Sequence, residues 1–300
     1  MKAIVSLPSA TFTYLPECYP KLGKCIKIIK MGGYKNMRLK EQTREKIRTL
    51  LINIVRTKLK EYKPETNHMP FHFRLLGRDR YAMFSFIQSM NTTFGISIWE
   101  QVAVILAESA GFQARRQYDL LGSIDSETEK LIQNIHYDLR AGIRQVDKLE
   151  EINLIRKSIK KGRPKKDPDS RVDLFVKIGD EENYFDITSA KPNMKEFAAL
   201  KLKLLRWTAL RLSQDKNVKV FTRLAIPYNP YHPQPYQRWT LKGLYDLDRG
   251  EILVGEEFWN FVANDDIYDD LLDVFQEAGN ELREEIDRKF AQFRERSDLR

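Results

Sequence analysis

Two apolar runs constrain this chain more than any other feature: Val172-Asp173-Leu174-Phe175-Val176-Lys177-Ile178 and Tyr184-Phe185-Asp186-Ile187-Thr188, on either side of Gly179–Asn183. β-Branched and aromatic residues bounded by glycine and polar breakers predict a β-hairpin. Asp173 then falls near the start of one strand, opposite the stretch Asp186–Thr188, and both carboxylates can point to one face of the sheet. Aspartate is depleted in strand interiors, and two carboxylates among apolar residues are costly unless a cation neutralises them. Mg²⁺ suits such a pair, because it takes oxygen ligands and keeps waters and phosphate oxygens in its other positions. Lys191 follows Asp186 by five residues, at the strand end. There it can orient or deprotonate a water, or balance charge on a phosphorane-like transition state. A surface hairpin capped by aspartates, with a lysine on its rim, is the alternative that spacing leaves open.

Helical periodicity surrounds the hairpin. Ile47, Leu50, Leu51, Ile54, Val55 and Leu59 recur at three- and four-residue steps between Leu39 and Tyr62, with a basic opposite face. Further helices are expected over Asp79–Met90, Ile96–Ser109, Ser126 to about Lys160 in two pieces around Gly142, and Met194–Ser213. Residues 91–95 should separate the second helix from the third, and Val218–Ile226 should add a strand. The acidic end, Glu256 to about Phe293, reads as helical with a break at Gly279. The expected fold is α/β (α+β), a small mixed sheet flanked by helices, with helical extensions at both ends. An irregular segment, 1–38, precedes a main domain, 39–243, and an acidic helical segment, 244–300, packs on it. In the helix from Ile96, Glu100 shares a stripe with Ile96, Ala103, Val104 and Ala107. A carboxylate there needs a partner or a metal.

Charge adds a direction. The 300 residues carry a net +9, but residues 1–63 hold 15 basic against 4 acidic side chains, and residues 244–300 hold 7 against 17. A basic body with an acidic end suits a polyanion held on one face. The plainer alternative is two termini that attract each other. Lys161, Arg163, Lys165 and Lys166 lie in a breaker-rich loop whose Gly-Arg-Pro resembles an AT-hook and reads as a phosphate-contacting loop into the site. Tyr228–Gln237, with three prolines, reads first as a rigid connector and second as a base-stacking loop. Two cysteines (Cys18, Cys25) and four histidines without ligand spacing exclude a disulfide framework and disfavour a zinc enzyme. Neither a phosphate-cradling glycine loop nor G-x-S-x-G is present, which disfavours an NTPase or serine hydrolase. With no apolar run near the roughly 20 residues of a membrane span and no signal-peptide pattern, a cytoplasmic protein is expected.

An aspartate at a strand start, an acidic residue on the next strand and a nearby lysine resemble the PD-(D/E)xK nuclease superfamily. Met69–Gly77, Phe84–Ser89, Thr92–Glu100, Phe185–Asn193 and Gly255–Asn260 are similar, in the same order, to the TdeIII family of type II restriction endonucleases. The resemblance implies a restriction-endonuclease-like core, Mg²⁺, double-stranded DNA cut at a short palindrome such as GGNCC, a homodimer and a cognate DNA methyltransferase. It assigns Asp173 and Asp186 as metal-binding carboxylates, Lys191 as the catalytic lysine and Glu100 as an additional helix carboxylate at the metal. One departure stands out: the superfamily spacing puts lysine two residues after Asp186, where this chain has Thr188. Either Lys191 reaches in from the strand end, or a bulge makes Ser189-Ala190-Lys191 the local motif and demotes Asp186. A repair or recombination nuclease of the same fold and a non-catalytic DNA binder are the alternatives.

Overall fold

The computed structural model describes residues 39–63, 69–236, 241 and 243–298. The expected irregular segment 1–38, with Cys18 and Cys25, and also His68, lie outside the described residues. Strands β2 (Arg171–Ile178) and β3 (Glu181–Ile187), numbered in chain order with β1 below, form the expected hairpin with a shorter turn than the expected 179–183, since Ile178 already pairs with Glu181. Gly179 takes φ 60° at its turn, a conformation glycine adopts without steric penalty. β3 leads through helix α7 (Met194–Gln214) to β4 (Lys219–Ile226), which lies parallel to β3 as a helical crossover requires. A capping box starts α7: Asn193 Oδ1 accepts from the Glu196 N–H (3.0 Å), and the Asn193 N–H donates back to Glu196 Oε2 (2.6 Å).

Two further strands complete a five-stranded mixed sheet of order β1-β2-β3-β4-β5. β1 (Gln113–Asp119) pairs antiparallel with β2, and β5 (Ile252–Val254) pairs parallel with β4. β1 has too few apolar residues to announce itself; as an edge strand it needs only one covered face.

Helices cover both faces. On one side α5 (Ser126–Arg140), α6 (Lys148–Ser158) and α7 bury Ile132, Ile155, Leu204 and Trp207 against Val172, Tyr184 and Val220. On the other, α1 (Glu41–Glu61), α4 (Trp99–Ser109), α8 (Glu256–Ala263) and α9 (Tyr268–Asp298) bury Ile47, Val102, Phe258 and Val274 against Leu174, Val176 and Phe185. Helices α2 (Pro70–Leu76) and α3 (Arg78–Thr93) extend this second layer, α3 against α9. After β1 the chain passes so close to α7 that a Cβ on Gly122 would lie 2.4 Å from the Leu210 carbonyl oxygen.

The class is the expected one, with three local corrections. Residues 91–95 do not separate two helices: α3 continues through a π-helical turn, Phe94–Ile98, into α4. Gly279 does not break α9; the interruption lies at 264–267, where Asn264 closes α8 with φ 51°. The arginines of α1 are turned to α9. Arg44 meets Glu277 (2.5 Å), Arg56 meets Glu281 and Glu285 (3.2 and 2.9 Å), and Arg48 pairs with Glu281. Mutual attraction of the chain's basic and acidic ends therefore accounts for this helix.

Candidate active site

The C-terminal ends of β1 and β3 and the start of β2 meet at one end of the sheet's strands. Leu174 pairs with Phe185, and continuing that register by one residue sets Asp173 opposite Asp186. Asp186 is 6% exposed, and its Oδ2 accepts an ion pair from Lys203 on α7. Asp173 Oδ2 accepts the Ile187 N–H at 2.8 Å, which ties the start of β2 to the end of β3. Burial, together with the negative charge of Asp186, pushes the Asp173 carboxyl up to about 6, against the pull of the Ile187 N–H, Lys203 and Arg171.

Glu100 comes from the opposite layer. The periodicity of α4 puts it on the apolar stripe, and it is 2% exposed. Its partners come from β1: Arg116 Nε donates to Oε2 at 3.1 Å, and the Gln117 amide donates to Oε1. Burial first and the charge of Asp173 second push Glu100 up to about 7. Each carboxylate thus senses a neighbour, Glu100 sensing Asp173 and Asp173 sensing Asp186. Among the described residues, however, no group of three or more His, Cys, Asp or Glu side chains is gathered tightly enough to cage an ion.

Lys191 is exposed in the loop after β3, between buried Ala190 and Pro192, its ammonium 5.1 Å from the centre of the Tyr231 ring. Thr188 sits where its backbone N–H donates to the Ala225 carbonyl at 2.9 Å, extending the β3–β4 ladder one step. The β3–β4 register is unbroken from Glu181 to Ile187, so β3 carries no bulge there to demote Asp186. The ammonium that meets Asp186 is Lys203's, which also stands 4.8 Å over the Trp207 ring. Sequence reading missed Lys203 because α7 offers several lysines, and only its packing on the sheet selects which one faces Asp186. It missed Arg116 and Gln117 because β1 itself was not legible.

The basic loop climbs from α6 to the start of β2. Backbone bonds hold it, from the Gly122 N–H to the Lys165 carbonyl (3.0 Å) and from the Gly162 N–H to the Ser213 carbonyl (3.1 Å). The Lys161, Arg163 and Lys165 side chains are exposed, whereas Lys166 pairs with Asp119 at 3.0 Å. The Tyr228–Gln237 loop is internally braced as far as it is described. The Asn229 side chain spans Tyr231 and Gln234, and the Tyr236 hydroxyl donates to the Ala190 carbonyl at 3.0 Å.

Three curated relatives, all from Herpetosiphon aurantiacus, are similar to this chain. Type II restriction enzyme HgiCII is 28% identical over 227 residues, 73% of this chain and 81% of the relative. HgiEI is 26% identical (74% and 81%) and HgiBI 25% identical (74% and 81%). No solved structure matches. Residues 39–279, which carry the five strands found among the described residues, Glu100, both aspartates and both lysines, match the family model described as type II restriction endonuclease, HinfI. The chain belongs to that family, and it is a site-specific deoxyribonuclease of the type II restriction class.

Proposed function

We propose that this enzyme makes Mg²⁺-dependent double-strand cuts at a short palindromic DNA site, with PD-(D/E)xK chemistry centred on Asp173 and Asp186. The observation that carries the reading is a pair of facing aspartates at one end of the central strands, Asp186 buried and Asp173 half-buried, with the Asp173 carboxyl pushed up to about 6 by burial and by the charge of Asp186. Their donor set fits Mg²⁺. The Ile187 N–H engages Oδ2 of Asp173 and Lys203 engages Oδ2 of Asp186, so Oδ1 of each is the atom that would be offered to a hard cation. Mg²⁺ commonly uses only one or two carboxylates alongside waters and phosphate oxygens, so a three-carboxylate cage is not needed. When bound, the ion supplies Lewis-acid polarisation of the phosphate and a water of lowered pKa.

The chain's own residues divide the remaining work. Asp173 and Asp186 hold the cation, and Glu100 adds negative charge beside Asp173. A lysine ammonium stabilises charge on the phosphate during in-line attack, leaving a 5′-phosphate and a 3′-hydroxyl. The family resemblance assigns this lysine to Lys191; the ion pair to Asp186 favours Lys203 as a second reading. Lys161, Arg163, Lys165 and Lys166 contact phosphates. The same proposal includes kinship with the TdeIII enzymes, a GGNCC-like site, a homodimer matching the palindrome, a partner methyltransferase and a cytoplasmic setting. It takes 39–243 as the DNA-binding and catalytic unit, with 244–300, expected as purely helical, packed on it and also lending β5 to its sheet.

Digestion of a plasmid of known sequence with Mg²⁺ or with EDTA tests this. Discrete Mg²⁺-dependent bands are expected, and mapping their ends gives the site. Smearing would point to a general or structure-specific nuclease, and intact plasmid with retained DNA binding to a non-catalytic binder; either result overturns the proposal.

A further inference from the structure

Two departures from regular structure converge on Glu100. The π-helical turn Phe94–Ile98 directly precedes α4, which carries it. Such turns insert an extra residue and re-aim the helix that follows. Opposite, Gln117 has φ 49° in the middle of β1. The described residues contain one other non-glycine positive φ, Asn264, where it ends a helix as Asn commonly does. Gln117 interrupts a strand instead. The β1–β2 ladder pairs 113–116 with 177–174 and 118–119 with 172–171, skipping the pair Gln117–Asp173.

The consequence is a change of face. Successive strand residues normally project to opposite sides. Here Arg116 and Gln117, adjacent in sequence, both donate to Glu100. Before the skipped pair, Ala114, Leu174 and Val176 lie in the core beneath α4. Beyond it, Val172 lies in the core on the side of α5, α6 and α7, with Tyr118 stacked on Phe175 at 5.0 Å. Both strands switch sides at Gln117 and Asp173. Left-handed backbone at a long side chain is unfavourable and persists only where its surroundings over-determine it, a situation that clusters at functional sites.

We propose that Gln117 is a positioning residue for DNA cleavage: its left-handed backbone turns its amide onto Glu100 and, together with Arg116, fixes that carboxylate beside Asp173. A neutral amide suits the role, because it donates to Glu100 without adding charge next to Asp173. The inference rests on the reading of Asp173 and Glu100 as part of the catalytic centre.

The test uses the full chain and the variants Gln117→Gly, Gln117→Ala and Glu100→Gln. It follows single-turnover plasmid cleavage, DNA affinity in Ca²⁺ and melting temperature. Both Gln117 variants lose the amide, so both are expected to cleave at least about tenfold more slowly with DNA affinity within about threefold of wild type. Only glycine relieves the backbone, so Gln117→Gly should melt above Gln117→Ala. In the Glu100→Gln background, Gln117→Gly should slow cleavage by less than about twofold more, because its effect passes through Glu100. A purely structural role predicts instead that cleavage follows melting temperature, Gln117→Gly cutting like wild type. That result, a full further loss in the Glu100→Gln background, or equal melting of the two Gln117 variants would overturn the proposal. Asp173→Asn cutting at the wild-type rate would instead sink the underlying site assignment, so the two failures are distinguishable.

Discussion

At the scale of single residues, the carboxylates make a claim about pH. Unfolded aspartate releases its proton near 4, whereas folded Asp173 keeps it up to about 6 and Glu100 up to about 7. Between those values the folded state binds more protons, so stability falls as pH rises through the window. Asp173→Asn keeps an acceptor for the Ile187 N–H and removes the charge. In EDTA its melting temperature should therefore gain on wild type as pH goes from about 4 to about 7, while cleavage falls by orders of magnitude. Asp186→Asn also loses the partner of Lys203, so its gain should be smaller. A loss of stability with activity intact would return the aspartates to the role of hairpin caps. The two lysines separate in the same assay. Lys191→Ala should abolish cutting if the sequence pattern locates the charge, and Lys203→Ala if the contact with Asp186 does. In either case the inactive variant should bind DNA within about tenfold of wild type, as loss of a transition-state contact requires.

At the scale of elements, α1 and the 160–170 loop have similar charge and different surroundings. The arginines of α1 face the glutamates of α9, while Lys161, Arg163 and Lys165 face solvent. Counterion release adds about 0.9 to the salt slope of log affinity for each phosphate neutralised. Replacing Lys161, Arg163, Lys165 and Lys166 with alanine should flatten that slope by about 2 to 4 between 50 and 200 mM salt. Arg48→Ala with Arg56→Ala should leave it nearly unchanged; fluorescence anisotropy reads both. The converse result would return α1 to the DNA surface. The exposed α1–α9 pairs are screened by solvent and contribute little, so the apolar seam of Ile47, Leu51, Val274 and Leu282 does most to join these helices.

At the scale of the whole molecule, a buried ionic cluster ties the α6–α7 layer to the far edge of the sheet. Lys148 and Lys201 both meet Glu251 Oε1 at 2.8 Å, and Lys201 also meets Glu151 at 2.7 Å; all four are 0–1% exposed. Burial alone would favour a neutral Glu251, but the two ammonium groups override it and hold its carboxyl well below the usual range. Truncating one member strands the others without compensation, so Glu251→Ala should lose about 3–5 kcal/mol in urea unfolding. A loss under 1 kcal/mol would mean that water reaches the cluster. Because Lys201 and Lys203 share α7, the cluster also anchors the helix that brings Lys203 to Asp186.

What was legible from residue order is what neighbours along the chain control. The hairpin, α7, the amphipathic stripe of α1 and the burial of Glu100 all follow from periodicity and turn chemistry, which act over a few residues. Asp173 and Asp186 could be paired because a short turn sets their register. β1 was not legible, since an edge strand reading Gln-Ala-Arg-Arg-Gln-Tyr-Asp takes its pairing from β2, more than fifty residues away. The same is true of Lys203 rather than a neighbouring lysine, of the face switch at Gln117 and of the turning of α1's arginines to α9. Each depends on contacts between segments distant in the chain. Periodicity says which side of an element is buried, and only packing says what that side meets.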